Sequence, residues 1–187
     1  FSDISLNSSG GCGIEVDGTI SCVGCDDYGL LSDVPEGIFI DISCSNQSCC
    51  AIDDESSLHC WGRPLSNISG HVNEGLDVSL AIHFGCAVNL DGSVSCWGSS
   101  YYSALQDIPE GEFAKVYAGQ EHACVLDSSG LPSCWGRNIE GQAEAPAIQF
   151  SSMSLGGEYS CGIDSMGSTI CWGNNSNDEY SVAKPGH

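Results

Sequence analysis

The chain is poor in basic residues. Its 187 residues include 4 lysines and arginines against 25 aspartates and glutamates, and the formal net charge is −21. Proteins bind nucleic acid phosphates and anionic lipid headgroups chiefly through clustered Lys and Arg. The chain also lacks an apolar run near the roughly 20 residues that a membrane-spanning helix requires. The composition therefore predicts no nucleic acid partner and no membrane insertion.

Familiar catalytic and metal-binding motifs are missing as well. The sequence contains no Gly-x-Ser-x-Gly elbow, no His-Glu-x-x-His pair and no phosphate-binding loop. Acidic pairs such as Asp26-Asp27 do not match a calcium-binding loop, and Asp-Gly pairs such as Asp17-Gly18 are typical of hairpin turns. We therefore expect no enzyme activity, no metal ion and no cofactor.

Cysteine, by contrast, is abundant, with 13 residues. Most of the cysteines form five pairs whose members are ten positions apart: Cys12 and Cys22, Cys50 and Cys60, Cys86 and Cys96, Cys124 and Cys134, Cys161 and Cys171. The first cysteines of successive pairs are separated by 38, 36, 38 and 37 residues. This register indicates five repeats, which we place at residues 1–38, 39–74, 75–112, 113–149 and 150–187 of a single domain.

Each repeat predicts three or four short β-strands. Alternating runs such as Phe39-Ile-Asp-Ile-Ser43 are strand signals, and a glycine, or Ser56 in the second repeat, stands six residues after the first cysteine, where a tight turn needs positive φ. A third strand ends in Cys-Trp-Gly in four of the five repeats. Without helical periodicity, units of this length favour an all-β fold, a β-propeller of five blades that either closes or forms a segment of a larger propeller.

The cysteine spacing also predicts disulfides. Residues ten apart in a hairpin with a short central turn lie directly opposite each other, within reach of a disulfide. Each such bridge would stabilise a blade by roughly 2 to 3 kcal/mol. We expect one hairpin disulfide per blade and an oxidising compartment, so that the protein is secreted or displayed at the cell surface.

Three cysteines stand outside this register: Cys25, Cys44 and Cys49. Any two of them can form one further internal bridge, which leaves three possible pairings. The total is odd, so one thiol remains: it pairs with another chain, has a partner outside this segment, or stays buried and unpaired.

Four Asn-x-Ser sequons predict glycosylation, at Asn7, Asn46, Asn67 and Asn174. Asn7 and Asn46 lie between the first and second strands of consecutive repeats, so we expect their glycans on the same propeller face.

The fourth repeat resembles the repeat of the regulator of chromosome condensation family. The resemblance is carried by Ala118-Gly-Gln-Glu-His122-Ala-Cys124-Val-Leu-Asp127, Gly130, Cys134-Trp-Gly136-Arg-Asn138 and Gly141-Gln142. It extends over all five repeats, and the added cysteine pair is similar to the secreted branch of the family, including crinkly-type receptor ectodomains. The resemblance implies radial blades that bind proteins through their faces or loops. It also implies that His122 bonds to backbone at a blade edge.

The leading interpretation is a non-catalytic extracellular module for protein interaction or structure, such as a glycosylated building block of a surface appendage, sheath or filament. It expects a protein partner or self-association. One alternative is a lectin-like propeller that binds glycans, and another is a receptor ectodomain or acidic inhibitor that binds a protein. Because the sequence opens with Phe1, we expect a processed product or a piece of a longer chain.

Overall fold

A computed structural model gives the fold and describes residues 1–7, 10–63, 74–99 and 104–174. Within these ranges the strands form five three-stranded antiparallel sheets, which confirms the expected all-β propeller architecture with five blades. In chain order, three per blade, the strands are β1 (Asp3–Leu6), β2 (Gly10–Ile14), β3 (Ile20–Gly24), β4 (Phe39–Ser45), β5 (Ser48–Asp53), β6 (Leu58–Gly62), β7 (Gly75–Leu80), β8 (Phe84–Asn89), β9 (Val94–Gly98), β10 (Phe113–Ala118), β11 (His122–Asp127), β12 (Pro132–Gly136), β13 (Phe150–Leu155), β14 (Tyr159–Asp164) and β15 (Thr169–Gly173). A short 3₁₀ turn spans Asp27–Gly29.

The second and third strands of each blade are joined by a disulfide between directly opposed residues. In blade 1, Cys12 pairs with Cys22 in the strand register, and their Cα atoms are 4.1 Å apart. The other four blades repeat this bridge with Cα separations of 4.0 to 4.1 Å. The expectation of one hairpin disulfide per blade is therefore confirmed.

The turn between these two strands requires a left-handed residue. Gly18 has φ 87°, and Ser56, which stands at this position in blade 2, has φ 67°. Ser56 adopts this angle in a turn closed by a hydrogen bond from its amide to the Asp53 carbonyl at 3.0 Å. The Asp53 side chain also accepts backbone amides within the same turn, from Glu55 and Ser57. Local hydrogen bonding thus supports a conformation that glycine adopts without steric cost.

The hydrophobic core lies between blades rather than within them. Each buried cluster joins an aliphatic side chain on the second strand of one blade to the first strand of the next. The pairs are Ile14 with Ile42, Ile52 with Val78, Val88 with Val116, and Leu126 with Met153. Burying one such side chain contributes about 1.5 to 3 kcal/mol, so neighbouring blades stabilise each other.

The two outermost blades expose the positions that are buried at these junctions. On blade 1, Ile4 and Leu6 are exposed, although they are equivalent to the buried Ile42 and Cys44. On blade 5, Ile163 is exposed at the position that Ile14 occupies in blade 1. Between the described residues of blades 5 and 1 no buried cluster forms.

The strand directions define two faces of the propeller. We call the side with the turns between second and third strands the turn face, and the side with the turns between first and second strands the loop face. The segments that follow each third strand also begin on the loop face. The described part of the chain contains no helix that is long and apolar enough to cross a membrane.

Candidate protein-interaction surface

A repeated backbone hydrogen bond fixes each blade against the preceding one at the turn face. The residue that opens a blade donates its amide to the carbonyl of the turn residue before it, at 2.6 to 2.8 Å in all four junctions. The first of these bonds runs from Phe39 to Gly18. The turn face is therefore a connected surface rather than a row of independent hairpins.

A second set of bonds connects the first strands of neighbouring blades. Serine hydroxyl oxygens accept amides of the next blade: Ser5 from Cys44 at 2.7 Å, Ser43 from Leu80 at 2.9 Å, and Ser79 from Ala118 at 3.0 Å. Carboxylates do the same nearer the turn face, where Asp41 accepts the amide of Val78 and Asp77 that of Val116, each at 2.7 Å. These bonds satisfy the outward amides of strands that pair on one side only.

Both carboxyl groups have a raised pKa, and Asp77 is buried while Asp41 is partly buried. Burial, and next the negative charge of Asp77, raise the pKa of Asp41 to about 7. Burial also raises the pKa of Asp77, whose Oδ1 lies 2.6 Å from Nζ of Lys115. Because both carboxylates accept amides that hold blades together, their role is structural.

His122 lies at the opposite, loop-face end of a junction. Its Nε2 is 2.7 Å from the Ser160 hydroxyl, which donates to the carbonyl of Gln142 at 3.0 Å. Burial lowers the pKa of His122 to about 4, so its ring is neutral at physiological pH. The expectation that His122 bonds to backbone is wrong, because its Nε2 contacts the side chain of Ser160 in the next blade. His122 and Ser160 are fully buried, so they bridge blades 4 and 5 and have no access to a substrate.

The repeated tryptophans also belong to the junctions. Trp61, Trp97 and Trp135 are buried. The indole N–H of Trp135 donates to the carbonyl of Ala104 at 2.9 Å, and that of Trp61 to Leu30 at 3.1 Å. Buried rings cannot stack on a sugar, so these three do not form the platforms that a lectin would use.

The irregular cysteines lie at the first junction and on the loop face. Of the three possible pairings, the structure contains Cys44–Cys49, whereas Cys25 is an exposed free thiol. The sulfurs of Cys12, Cys44 and Cys49 lie close together, and the Cys12 and Cys49 sulfurs are 3.7 Å apart. All three belong to disulfides, so they offer no thiolate to a metal ion.

Five exposed aliphatic side chains form a surface on the turn face of blades 1 to 3, which we call the apolar patch. It consists of Val16 (89% exposed), Ile38 (44%), Ile40 (56%), Leu76 (42%) and Leu90 (48%). Leu131, Ile148 and Met166 continue the exposed apolar surface on blades 4 and 5. Among the described residues, fewer exposed large apolar side chains lie toward the loop face, and these include Tyr28, Ile82 and Ile139.

The backbone beneath the apolar patch is connected across blade boundaries. A Cβ atom placed on Gly18 would lie 2.6 Å from Cγ2 of Ile38, so the blade 1 turn touches the start of blade 2. The carbonyl of Ser56 accepts the amide of Gly75, which precedes Leu76, and Leu90 donates its amide to Glu74 at 3.1 Å. Hydrogen bonds between the underlying backbones therefore hold the five side chains in fixed relative positions. Such an exposed apolar surface is typical of a protein-interaction site.

The loop face carries most of the other predicted sites. Asn7 and Asn46 lie in the turns between first and second strands, and Asn174 follows β15, where its Nδ2 donates to Glu158 at 2.6 Å. Cys25, Arg63 and Arg137 also follow third strands. Asn67 lies outside the described residues. The described sequons are thus separated from the apolar patch by the height of a blade.

Blade 4 matches a known repeat. Residues 113–142 match the regulator of chromosome condensation (RCC1) repeat. This match falls on blade 4 and confirms the resemblance that its sequence carries. No curated protein sequence matches the chain.

Solved structures with blades of the regulator of chromosome condensation type share the fold. The ectodomain of the receptor kinase CR4 from Physcomitrella patens is 23% identical with a TM-score of 0.78, over 93% of this chain and 52% of that one. The CRINKLY WD40 ectodomain of the Arabidopsis thaliana receptor kinase ACR4 is 22% identical, with a TM-score of 0.71, over 91% and 62%. Prp20p from Saccharomyces cerevisiae, described with its binding to Gsp1p and histones, is 12% identical with a TM-score of 0.75, over 92% and 57%. The chain thus spans about half to three fifths of the length of these proteins.

The apolar patch was not predicted from the sequence. Its members are ordinary strand and turn residues, and nothing in their identity separates them from the core positions beside them. Aligning the repeats would have provided one signal, because Val16 and Leu90 occupy a position that is Asp54 in blade 2 and serine in blades 4 and 5.

Proposed function

We propose that the protein is a non-catalytic, extracellular module for protein interaction or structure. The apolar patch carries this proposal, because it is an exposed surface with a rigid base and no reactive group within it. The side-chain pairs that resemble catalytic groups, His122 with Ser160 and Asp77 with Lys115, hold blades together instead.

An extracellular location is supported by the disulfides. Six disulfides join twelve of the 13 cysteines, a density that persists in oxidising compartments. Glycosylation at Asn7, Asn46, Asn67 and Asn174 belongs to the same proposal. Glycans on Asn46 and Asn174 would lie on the loop face and leave the apolar patch open to a partner, whereas Nδ2 of Asn7 is buried.

Footprinting of the native protein tests the interaction function. Carbene labelling should modify Ile38 and Ile40 in the purified chain. In the extracellular material from which the native protein is obtained, labelling of the same two residues should be suppressed. Ile139, an exposed loop-face residue, is the internal control and should label in both. Equal labelling of Ile40 in the two samples would contradict the proposal. Peptide mapping of the same native material would show the six disulfides and the sugars on the sequons.

A second candidate function is that of a receptor ectodomain. It is supported by the likeness in fold to two plant receptor kinase ectodomains. Fractionation distinguishes this candidate from a building block of an extracellular assembly. Native protein that is released only by detergent favours a receptor, whereas release by dissociating an extracellular polymer favours the building block.

A further inference from the structure

The charge of the side chains around the apolar patch indicates the chemistry of its partner. Acidic side chains flank it in every blade that contributes to it. Five exposed carboxylates do so: Asp17 beside Val16, Asp54 and Glu55 in the turn next to Ile38, Glu74 before Leu76, and Asp91 after Leu90. The apolar centre therefore has an acidic rim.

Lys115 is the one described lysine or arginine side chain beside this rim. Arg63 and Arg137 follow third strands and begin on the loop face. Lys115 lies on a first strand, where its ammonium group is bonded to Asp77 at 2.6 Å. Its charge is paired with the buried Asp77, and none of the five rim carboxylates forms an ion pair with a described residue.

Turn geometry fixes some of the rim carboxylates in place. Asp17 accepts both the amide and the hydroxyl of Thr19, at 3.1 and 2.7 Å. Asp91 accepts the same two groups from Ser93, at 2.9 and 2.6 Å. These bonds to the charged form lower the pKa of both carboxyl groups, so Asp17 and Asp91 are ionised at neutral pH.

We propose that the apolar patch docks a protein partner whose contact surface has aliphatic or aromatic side chains ringed by lysine and arginine. This rests on the proposed function and specifies its partner. An interface with an apolar centre and complementary charges at its rim gains affinity from the centre and association rate and specificity from the rim. A second copy that docked patch to patch would bring a second acidic rim instead of a basic ring, because its described arginines lie on the opposite face.

Peptide probes of defined chemistry test this inference with the whole oxidised chain. The main probe is a 14-residue peptide of alternating leucine and lysine. One control peptide replaces leucine with serine, and another replaces lysine with glutamate. Isothermal titration calorimetry should detect binding of the leucine–lysine peptide, with each control peptide at least about tenfold weaker. Raising the salt concentration from 50 to 500 mM should weaken binding, since the Debye length shrinks severalfold.

Matched variants locate the site. Ile40→Asp should weaken binding of the leucine–lysine peptide at least about tenfold, because it places a charge at the centre of the patch. Ile139→Asp, the same substitution on the loop face, should leave binding within about twofold. Circular dichroism and disulfide mapping verify that both variants fold. Leu76→Ala is a milder second variant on the patch and should give a smaller loss in the same direction.

Three results would overturn the inference. Equal binding of the serine–lysine peptide would mean attraction to the overall negative charge alone, and equal binding by the Ile40→Asp chain would place the contact elsewhere. No binding of the leucine–lysine peptide would show that the patch does not recognise a surface that is both basic and apolar. The proposed function is tested separately, because protection of Ile40 in native material would persist if the partner had a different chemistry.

Discussion

The two faces of the propeller differ more than the blades that form them. The turn face has short turns, is acidic and is rich in exposed aliphatic side chains, and the turns of blades 1 to 4 are each bonded to the next blade. The loop face carries the described sequons, both described arginines and the free thiol of Cys25. The difference shows that the repeat divides its surface: the junctions hold the fold, the turn face presents exposed aliphatic side chains, and the loop face carries the asparagines of the predicted sequons that the structure describes.

The largest expected difference in stability is between an isoleucine-to-alanine substitution at a junction and the same substitution on the turn face. Ile52→Ala removes a fully buried side chain between blades 2 and 3 and should lower the free energy of unfolding by about 2 to 5 kcal/mol. Ile40→Ala, on the apolar patch, should cost less than about 1 kcal/mol. Chemical denaturation followed by tryptophan fluorescence measures both. Equal losses would show that the patch is a part of the core.

Next in size is the extra disulfide near the loop face. Replacing both Cys44 and Cys49 with alanine removes a bridge over a five-residue separation and should cost about 2 kcal/mol. Cys25→Ser alters an exposed free thiol and should change stability by less than about 0.5 kcal/mol. If the two variants were equally stable, the extra disulfide would not be what orders this side of blade 2.

The two sides of the core should also respond to pH with opposite signs. Asp41, toward the turn face, has a folded pKa of about 7 against an ordinary value of 3.8, so its contribution to stability is present at low pH and is lost as the pH rises through 7. His122, toward the loop face, has a folded pKa of about 4 against 6.5, so its contribution is present above pH 6.5 and is lost as the pH falls toward 4.

Single substitutions separate these two contributions. Asp41→Asn keeps an oxygen for the Val78 amide and should make the variant gain stability relative to the parent as the pH rises from 4 to 7. His122→Gln should make its variant gain relative to the parent as the pH falls from 6.5 to 4. Melting temperatures across pH 4 to 8 provide the measurement. Curves that run parallel to that of the parent chain would contradict the assignment.

A glycan added to the turn face should have the smallest effect on stability of these changes. Its effect on binding should be strong. Asp17→Asn creates the sequon Asn-Gly-Thr beside Val16, within the turn face. When that variant is glycosylated, binding of the leucine–lysine peptide should be lost, with unfolding changed by less than about 1 kcal/mol. The same variant from a host that does not glycosylate separates the glycan from the lost charge. Asn46→Gln, on the loop face, should leave binding intact, and binding that survives the new glycan would place the contact elsewhere.

Much of the fold followed from the cysteine register, because a fixed spacing within a hairpin sets which residues oppose each other. The blade count, the strand order and the bridge from Cys12 to Cys22 were all predictable in this way. The partner of His122 was not, because it depends on how closely blade 5 approaches blade 4. Nor did the spacing decide which of Cys25, Cys44 and Cys49 would pair, since all three lie in neighbouring turns and strands.

Exposure of the apolar patch depends on contacts between repeats. Local sequence patterns describe only contacts within a single repeat, so they could not predict it. Ile40 and Ile42 are two residues apart on the same strand, yet Ile42 is buried at a junction and Ile40 is exposed. Alternation along the strand predicts that they share a face, but the register shift between Phe39 and Asp41 changes the relation of β4 to its neighbour there. Only the packed array shows which side chains remain exposed.

The most direct test of a turn-face docking surface is site-specific crosslinking at two isoleucines. A photo-reactive side chain is placed at Ile40 on the turn face or at Ile139 on the loop face, and each chain is exposed to its native extracellular material. We predict adducts with a defined protein partner from position 40, lost when the leucine–lysine peptide is present in excess, and no such adduct from position 139. Adducts from position 139 alone, or equal adducts from both, would contradict the account.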